Sequence, residues 1–157
     1  ALAECGVVVT LAWPNDLLLP AGKVAGVLCA SRVAGDVAWA ACGVGVNLHR
    51  DALVQHAIEP PPGFCDDVAR VERSVLLRAI LLQYHATLDT LNNPQRVARL
   101  WEKRAGLPGR RYRVLKDDES APFDATAVAL ATGGGLVVER DGGGRETVAL
   151  ADARVLR

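Results

Sequence analysis

Hydrophobic residues in the first third of the chain come in short runs that polar and turn-forming residues interrupt. The runs cover residues 7–12, 17–19, 24–30 and 37–48, and each gap contains proline, glycine, asparagine or aspartate. Such β-branched, apolar runs are typical of buried strands. The gaps are too short for the helical crossover that parallel strands need, so the pattern predicts an antiparallel meander.

The spacing becomes helical after residues 49–70, a proline-containing stretch that we interpret as a loop. Apolar residues then recur three or four positions apart, which predicts a helix with one buried stripe. Asn93 and Pro94 are a capping residue and a first-turn proline, and they predict a second, shorter helix that ends at residues 106–109. The residues expected to face the core are Val71, Val75, Leu77, Ile80, Leu81, Tyr84, Leu88 and Leu91 in the first helix, and Val97, Leu100 and Trp101 in the second.

The last part of the chain alternates short apolar segments with glycine-rich turns. The predicted strands are residues 111–115, 125–131, 136–140, 147–150 and 154–156. Five short strands in close succession indicate a small β-barrel. The change in composition places a domain boundary after residue 108, which gives domains 1–108 and 109–157.

Composition narrows the functional classes. The chain has 157 residues, half of them hydrophobic, and 18 basic residues balance 18 acidic ones. This length suffices to bury a core, and the balanced charge gives no electrostatic footprint for nucleic acid. No apolar run is long enough to cross a bilayer. The cysteines lack metal-binding spacing, so we expect no structural metal and buried free thiols in a cytoplasmic protein; they are Cys5, Cys29, Cys42 and Cys65.

The beginning of the chain has the pattern of a helix end. Ala1 to Cys5 followed by Gly6 is typical of a last helical turn with a glycine stop, and position 1 is not methionine. We therefore expect this sequence to be part of a longer protein.

Candidate chemistry concentrates in three segments of the predicted meander. They are Trp13-Pro14-Asn15-Asp16, Gly22-Lys23-Val24-Ala25-Gly26-Val27-Leu28 and Gly43-Val44-Gly45-Val46-Asn47-Leu48. Lys23 lies at the mouth of an apolar strand, where its ammonium can either reach solvent or bind an anion. The glycines allow a ligand or another backbone to approach closely. The simpler interpretation, a surface lysine beside an Asn15-Asp16 turn, stays open at this point.

These three motifs, in this order and at this spacing, resemble the biotin protein ligases. The resemblance extends over essentially the whole chain, because two helices and a small carboxyl-terminal barrel also follow the motifs in that family. It implies the carboxyl-terminal portion of the catalytic domain plus the barrel, the rest of that domain lying upstream. The fold class implied is α/β of the α+β type: a partial antiparallel or mixed sheet with helices, followed by a small SH3-like β-barrel.

The resemblance implies an enzyme that ligates biotin to a lysine of the biotin carboxyl carrier protein, an acetyl-CoA carboxylase subunit. ATP and biotin, with Mg²⁺, first form biotinyl-5'-adenylate, and the carrier lysine then displaces AMP. Lys23 matches the family's lysine at the biotin carboxylate and adenylate phosphate, and is the predicted catalytic residue. Asp16 matches the aspartate near the nucleotide and its Mg²⁺. The other biotin- or adenylate-binding residues implied are Asn15, Gly26, Val27 and Asn47, whereas Trp13 is expected in the core.

The sequence departs from the family pattern at two places. Ala12 stands where the family usually has lysine, and Cys29-Ala30 stands where it usually has glutamate. These departures motivate a second hypothesis, a non-catalytic paralogue that binds a ligand or partner through the same meander. A third is a lipoate-ligase relative, which shares the fold class.

The resemblance also sets expectations for activity and assembly. We expect the 157-residue chain alone to be inactive, because half of the adenylate pocket would lie upstream of it. Homodimerisation through the sheet is common in the family, and no membrane or nucleic-acid partner is expected.

Overall fold

The first part of the chain is built on a four-stranded antiparallel sheet. In the computed structural model, which describes residues 1–50, 61–150 and 153–156, its strands are β1 (Thr10–Ala12), β2 (Asp16–Leu19), β3 (Gly22–Ala34) and β4 (Val37–Val46), in the order β1-β2-β3-β4. The predicted antiparallel meander is thereby confirmed. The helix stop is confirmed as well, since a 3₁₀ helix at Leu2–Cys5 ends at Gly6 with a φ of 83°.

The strands differ in length from the prediction. Residues 7–9 precede β1 without joining the sheet, although Val7 is fully buried. β3 continues to Ala34 and turns into β4 at residues 35–36, where Gly35 has a φ of 60°. Residues 32–34 are strand, although a loop was predicted there. The described residues of this outer part of the hairpin are exposed on both faces, so its sequence lacks the alternation that indicates a strand.

The helices are α1 (Arg73–Leu91) and α2 (Pro94–Ala105), as the spacing predicts. Asn93 caps α2, accepting a hydrogen bond from the Arg96 N–H at 2.9 Å, and Gly106 ends it with a φ of 71°. None of the described helices is long and apolar enough to cross a membrane.

The predicted inward faces of the helices are largely wrong. Val71, just before α1, is buried, but the buried residues within α1 are Leu76 and Ala79. In α2 they are Ala98 and Ala105. The predicted stripe residues that are exposed are Val75, Leu77, Leu81, Tyr84, Leu88, Leu91, Val97 and Leu100. Apolar residues stand side by side around α1, as at Leu81-Leu82, and their periodicity therefore does not select one face.

The last part of the chain forms a second antiparallel sheet. Its strands are β5 (Arg110–Lys116), β6 (Phe123–Leu130), β7 (Leu136–Arg140), β8 (Arg145–Val148) and β9 (Ala153–Leu156), in the order β8-β7-β6-β5-β9. All five predicted strands are present. Within the described residues no ladder joins β8 to β9, so this sheet is open and an SH3-like barrel is not confirmed.

The chain divides into two compact units, residues 1–79 and 80–157, so the division falls within α1. The core of the first unit includes Trp13, as expected, together with Val24 and Cys65. The core of the second is made by alternate strand residues such as Val114 and Val138. The domain boundary after residue 108 stays a prediction.

The expectation of buried thiols is wrong for the hairpin cysteines. Cys65 is fully buried, Cys5 is half-buried, and Cys29 and Cys42 are exposed. The last two lie on the part of β3 and β4 that extends beyond the core.

Candidate ligand-binding cleft

A lysine–aspartate ion pair lies where β2 and β3 run side by side. The Lys23 Nζ is 2.6 Å from the Asp16 Oδ1. The Asp16 side chain is buried, whereas the Lys23 side chain is 38% exposed. A buried carboxylate needs a charged or hydrogen-bonding partner, so Asp16 fixes the lysine ammonium while the lysine stays accessible. Asp16 is therefore a buried strand residue that holds Lys23, and not only part of a turn.

A β-bulge brings these groups to one face of the sheet. Asp16 lies opposite Gly26 and Leu18 lies opposite Lys23, with a one-residue shift in register that leaves Val24 without an opposite residue. In a regular strand, Lys23 and Gly26 would point to opposite faces, because side chains alternate. With the bulge they share a face: a Cβ atom on Gly26 would lie 3.3 Å from the lysine Nζ and 3.5 Å from the aspartate Oδ1.

The segment Pro61–Gly63 holds the backbone of Lys23 from the other side. The Lys23 N–H donates to the Pro61 carbonyl and the Gly63 N–H donates to the Lys23 carbonyl, both at 2.8 Å. Gly22 permits this approach, since its φ is 141° and a Cβ there would lie 2.0 Å from the Pro61 oxygen. The mouth of β3 is therefore fixed by backbone contacts that require glycine.

Two asparagines tie neighbouring segments to β3. The Asn47 Nδ2 donates to the carbonyls of Lys23 and Gly63, both at 3.1 Å. The Asn15 Nδ2 donates to the Val27 carbonyl at 3.0 Å, and the Val27 N–H donates to the Asn15 carbonyl at the same distance. Both side chains therefore position the backbone around Lys23, and each does so through its amide nitrogen.

These residues border a cleft of about 910 Å³ in the first unit. Ligand sites of small molecules are clefts of about 300–1,000 Å³ that combine apolar walls with a few polar groups. Among the described residues, those that line it are Asn15, Lys23, Ala25, Gly26, Leu28, Gly43, Val44, Gly45, Val46, Asn47, Pro62 and Phe64. The sequence-predicted residues Asn15, Lys23, Gly26 and Asn47 thus meet at one cavity.

Asp16 and Val27 have different places from those four. Asp16 contacts the cleft through Lys23, and Val27 is not among the described residues that line the cleft. The role of Val27 at a biotin ring therefore stays a prediction.

The sequence analysis missed Pro62 and Phe64, which it placed in a loop. Arg50 lies over the Phe64 ring at 5.2 Å and pairs with Asp67. The Asp67 carboxylate also accepts the Phe64 N–H at 2.9 Å, and these two contacts hold the pKa of Asp67 below its usual range. The only sequence signal was a proline- and glycine-containing stretch, which predicts a turn and not what it packs against.

Comparison with known proteins gives an independent view of the first sheet. Residues 2–47, which contain β1 to β4 and the lysine motif, match the family model of the Biotin/lipoate A/B protein ligase family. The predicted resemblance is therefore confirmed over these residues, at the level of a family that comprises biotin and lipoate ligases. No curated protein matches the chain.

Solved biotin protein ligases share the fold. The apo structure of the biotin protein ligase from Aquifex aeolicus superposes with a TM-score of 0.74 at 18% identity, covering 99% of this chain and 68% of that one. The same ligase in complex with biotin and ATP gives a TM-score of 0.73 at 18% identity, with 99% and 65% covered. The chain thus spans about two thirds of the length of these ligases, and at this identity the likeness concerns the fold.

The two departures from the biotin ligase pattern lie in different surroundings. Ala12 ends β1 and is buried in the core, whereas Ala30 is exposed on β3 opposite Ala41. Ala12 therefore contributes to packing, and Ala30 leaves the hairpin surface without a carboxylate at that position.

Proposed function

We propose that the Lys23 cleft binds biotin and ATP and serves the ligation of biotin to a lysine of the biotin carboxyl carrier protein. The observation that carries this proposal is the Lys23–Asp16 ion pair. Lys23 lines the cleft, and the buried Asp16 carboxylate lies 2.6 Å from its ammonium. The complex of the Aquifex aeolicus ligase with biotin and ATP supports the same ligands here. In this proposal the reaction takes place in the cytoplasm, and residues 109–157 correspond to the family's SH3-like barrel.

The chemistry requires a fixed positive charge. A biotin carboxylate oxygen attacks the α-phosphorus of ATP, and the bond to pyrophosphate breaks. The carrier lysine amine then attacks the acyl carbon of biotinyl-5'-adenylate, and the bond to AMP breaks. Negative charge builds up on carboxylate and phosphate oxygens in the first step and on AMP in the second, and a preorganised ammonium stabilises it where it develops. We assign this role to Lys23.

The pairing of Asp16 bears on Mg²⁺. Mg²⁺ demands octahedral oxygen coordination, whereas the buried Asp16 carboxylate already contacts an ammonium. Within the described residues, no group of three or more His, Cys, Asp or Glu side chains could hold a metal ion. We therefore assign Asp16 to positioning Lys23, and its role beside Mg²⁺ stays a prediction.

A lipoate-like acid is the second candidate substrate, because the matching family includes lipoate as well as biotin ligases. Both acids carry a carboxylate that Lys23 would neutralise, and they differ in the ring that the cleft must accommodate. Titrating the protein with each acid by calorimetry distinguishes them. Binding of biotin by the complete protein without formation of an adenylate would instead favour the non-catalytic paralogue.

Replacement of Lys23 tests the proposal. In the complete protein, Lys23→Ala should lower biotin-dependent pyrophosphate release from ATP roughly a hundred- to a thousand-fold, or about 2.7–4 kcal/mol, which is typical of losing one electrostatic stabiliser. Lys103→Ala, which removes an exposed lysine from α2, is the matched control and should keep the rate. Pyrophosphate release by Lys23→Ala at the parental rate would contradict the assignment.

The carrier protein and a homodimer through the sheet belong to the same proposal. We further propose that the 157-residue chain alone, incubated with ATP, biotin and a carrier domain, yields no biotinylated product. Robust product from that chain would contradict this part of the proposal and leave the role of Lys23 untouched.

A further inference from the structure

Two exposed cysteines face each other across the β3–β4 hairpin. Cys29 and Cys42 are directly opposite in the antiparallel ladder. Their Sγ atoms are 2.7 Å apart, and both are free thiols. Neither lines the cleft, and neither has a role in the proposed ligation.

The ladder gives the pair the geometry that a disulfide needs. Opposite residues of an antiparallel pair have Cα atoms about 4.5 or 5.5 Å apart. Disulfides form at Cα separations of about 4.4–6.8 Å, so either separation allows a bond without movement of the strands. The Sγ contact shows that both side chains already point toward each other.

We propose that Cys29 and Cys42 form a reversible redox site that a peroxide converts into an intramolecular disulfide. One thiolate attacks a peroxide oxygen, the O–O bond breaks, and the products are a sulfenic acid and, after protonation, water. The second thiolate attacks that sulfur, the S–O bond breaks, and a second water leaves. The two thiols lose two protons and two electrons in total, and hydrogen peroxide accepts both. A dithiol reductant reverses the reaction.

The surroundings single out this pair among the cysteines. Cys65 is buried in the core, and burial raises the pKa of its thiol, which keeps it protonated and unreactive. Cys5 is half-buried. Cys29 and Cys42 are exposed, so a peroxide can reach both sulfurs, although the contact with Cys42 raises the pKa of the Cys29 thiol.

The bond would tie the two strands together beside the cleft. Leu28 and Gly43, the next opposite pair along the ladder, both line the cavity. The closed loop comprises residues 30–41, the end of the hairpin, and the side chains described there are exposed. Oxidation therefore restrains a segment that does not pack against the core. This inference does not depend on which substrate the cleft binds.

Peroxide treatment followed by peptide mapping tests the inference. The protein is treated with hydrogen peroxide, the remaining thiols are labelled with a maleimide, and the digest is analysed by mass spectrometry. We expect a link between the peptides that contain Cys29 and Cys42, a loss of two of the four titratable thiols, and recovery of both with dithiothreitol. Amide hydrogen exchange across residues 30–41 should slow in the oxidised protein.

Two variants act as controls. Cys42→Ser should abolish the link, and Cys5→Ser should leave it unchanged. Circular dichroism establishes that each variant is folded. The peptide map of the parental protein decides the question even if a variant does not fold. The inference is overturned if Cys29 and Cys42 stay fully labelled after peroxide, or if they are found only as sulfinic acids or in bonds between chains.

Discussion

The backbone conformation of Gly22 and its lack of a side chain are both required at the cleft. Its φ of 141° lies where L side chains rarely occur, and a Cβ atom would lie 2.0 Å from the Pro61 carbonyl oxygen. This carbonyl accepts the Lys23 N–H, so the site lysine depends on the glycine before it.

Gly22→Ala should destabilise the protein by about 1–3 kcal/mol, as is usual when atoms are forced into a packed site. It should also weaken biotin binding, because relief of the contact moves Pro61 away from Lys23. Urea unfolding and biotin titration measure the two effects. Gly142→Ala is the matched control, since a Cβ there meets no atom within 4 Å. Equal unfolding midpoints for the two variants would contradict this account.

Single residues also mark the limit of sequence inference at the site. Residue types and motif order were enough to predict Lys23, Asp16 and Asn47. The bulge at Val24 could not be predicted, because an additional apolar residue in an apolar strand leaves no trace in the pattern. The contribution of Phe64 was equally hidden, since it depends on a long-range contact between a loop and β3.

Among the elements, the strands of the second unit are joined by a cluster of charges. Arg140, at the end of β7, pairs with Glu119 and Glu146 and lies over the Phe123 ring at 3.6 Å. The Lys116 Nζ is 3.3 Å from the Glu146 carboxylate. Pairing with Arg140 is the main cause that lowers the pKa of both carboxyl groups below their ordinary values.

This cluster predicts an acid-dependent loss of stability. A carboxyl group whose pKa is lower in the folded state stabilises the fold above its unfolded pKa, and this contribution is lost as the pH falls through the folded pKa. The unfolding temperature should therefore decrease when the pH is lowered below about 4.5, which is the ordinary pKa of glutamate. Glu146→Gln should show a smaller fall, whereas Glu72→Gln, which alters an exposed carboxyl outside the cluster, should follow the parental curve. Parallel curves for all three proteins would exclude the cluster as the cause.

The elements themselves were the most predictable part of the molecule. Capping by Asn93 and termination at Gly106 rest on local hydrogen bonding, and both helices occur where the sequence places them. The face that each helix buries depends on what packs against it. The apolar residues of α1 surround its axis, so the sequence of the helix alone does not indicate which face is buried.

On the scale of the whole molecule, many apolar side chains lie at the surface. In the first unit they include Leu28, Val33 and Trp39 on the hairpin. In the second they include Leu81, Leu82 and Tyr84 on α1. Large contiguous patches of apolar side chains are rare on monomeric proteins and mark sites of association.

We expect the purified 157-residue chain to self-associate through these surfaces. Leu81→Glu, at a position that is 58% exposed, should lower the average mass measured by light scattering without loss of helix. Gln83→Glu adds the same charge at an exposed polar position of α1 and should leave the mass unchanged. A monomeric parental chain, or the same mass for both variants, would contradict the expectation.

The bulge at Val24 links the chemistry of the cleft to the length of the chain as well as to its residue types. The number of residues between Lys23 and Gly26 decides which face of the sheet the lysine side chain lies on, because side chains alternate between the two faces along a strand. A relative without Val24 would present its lysine on this face from a regular ladder, whereas a relative with one further residue would keep the face in a regular ladder but place the lysine two residues farther along the strand from its aspartate. Insertions and deletions of single residues in this hairpin are therefore not equivalent in evolution, and the presence of a lysine, a glycine and an aspartate in an aligned sequence does not by itself establish that the three meet.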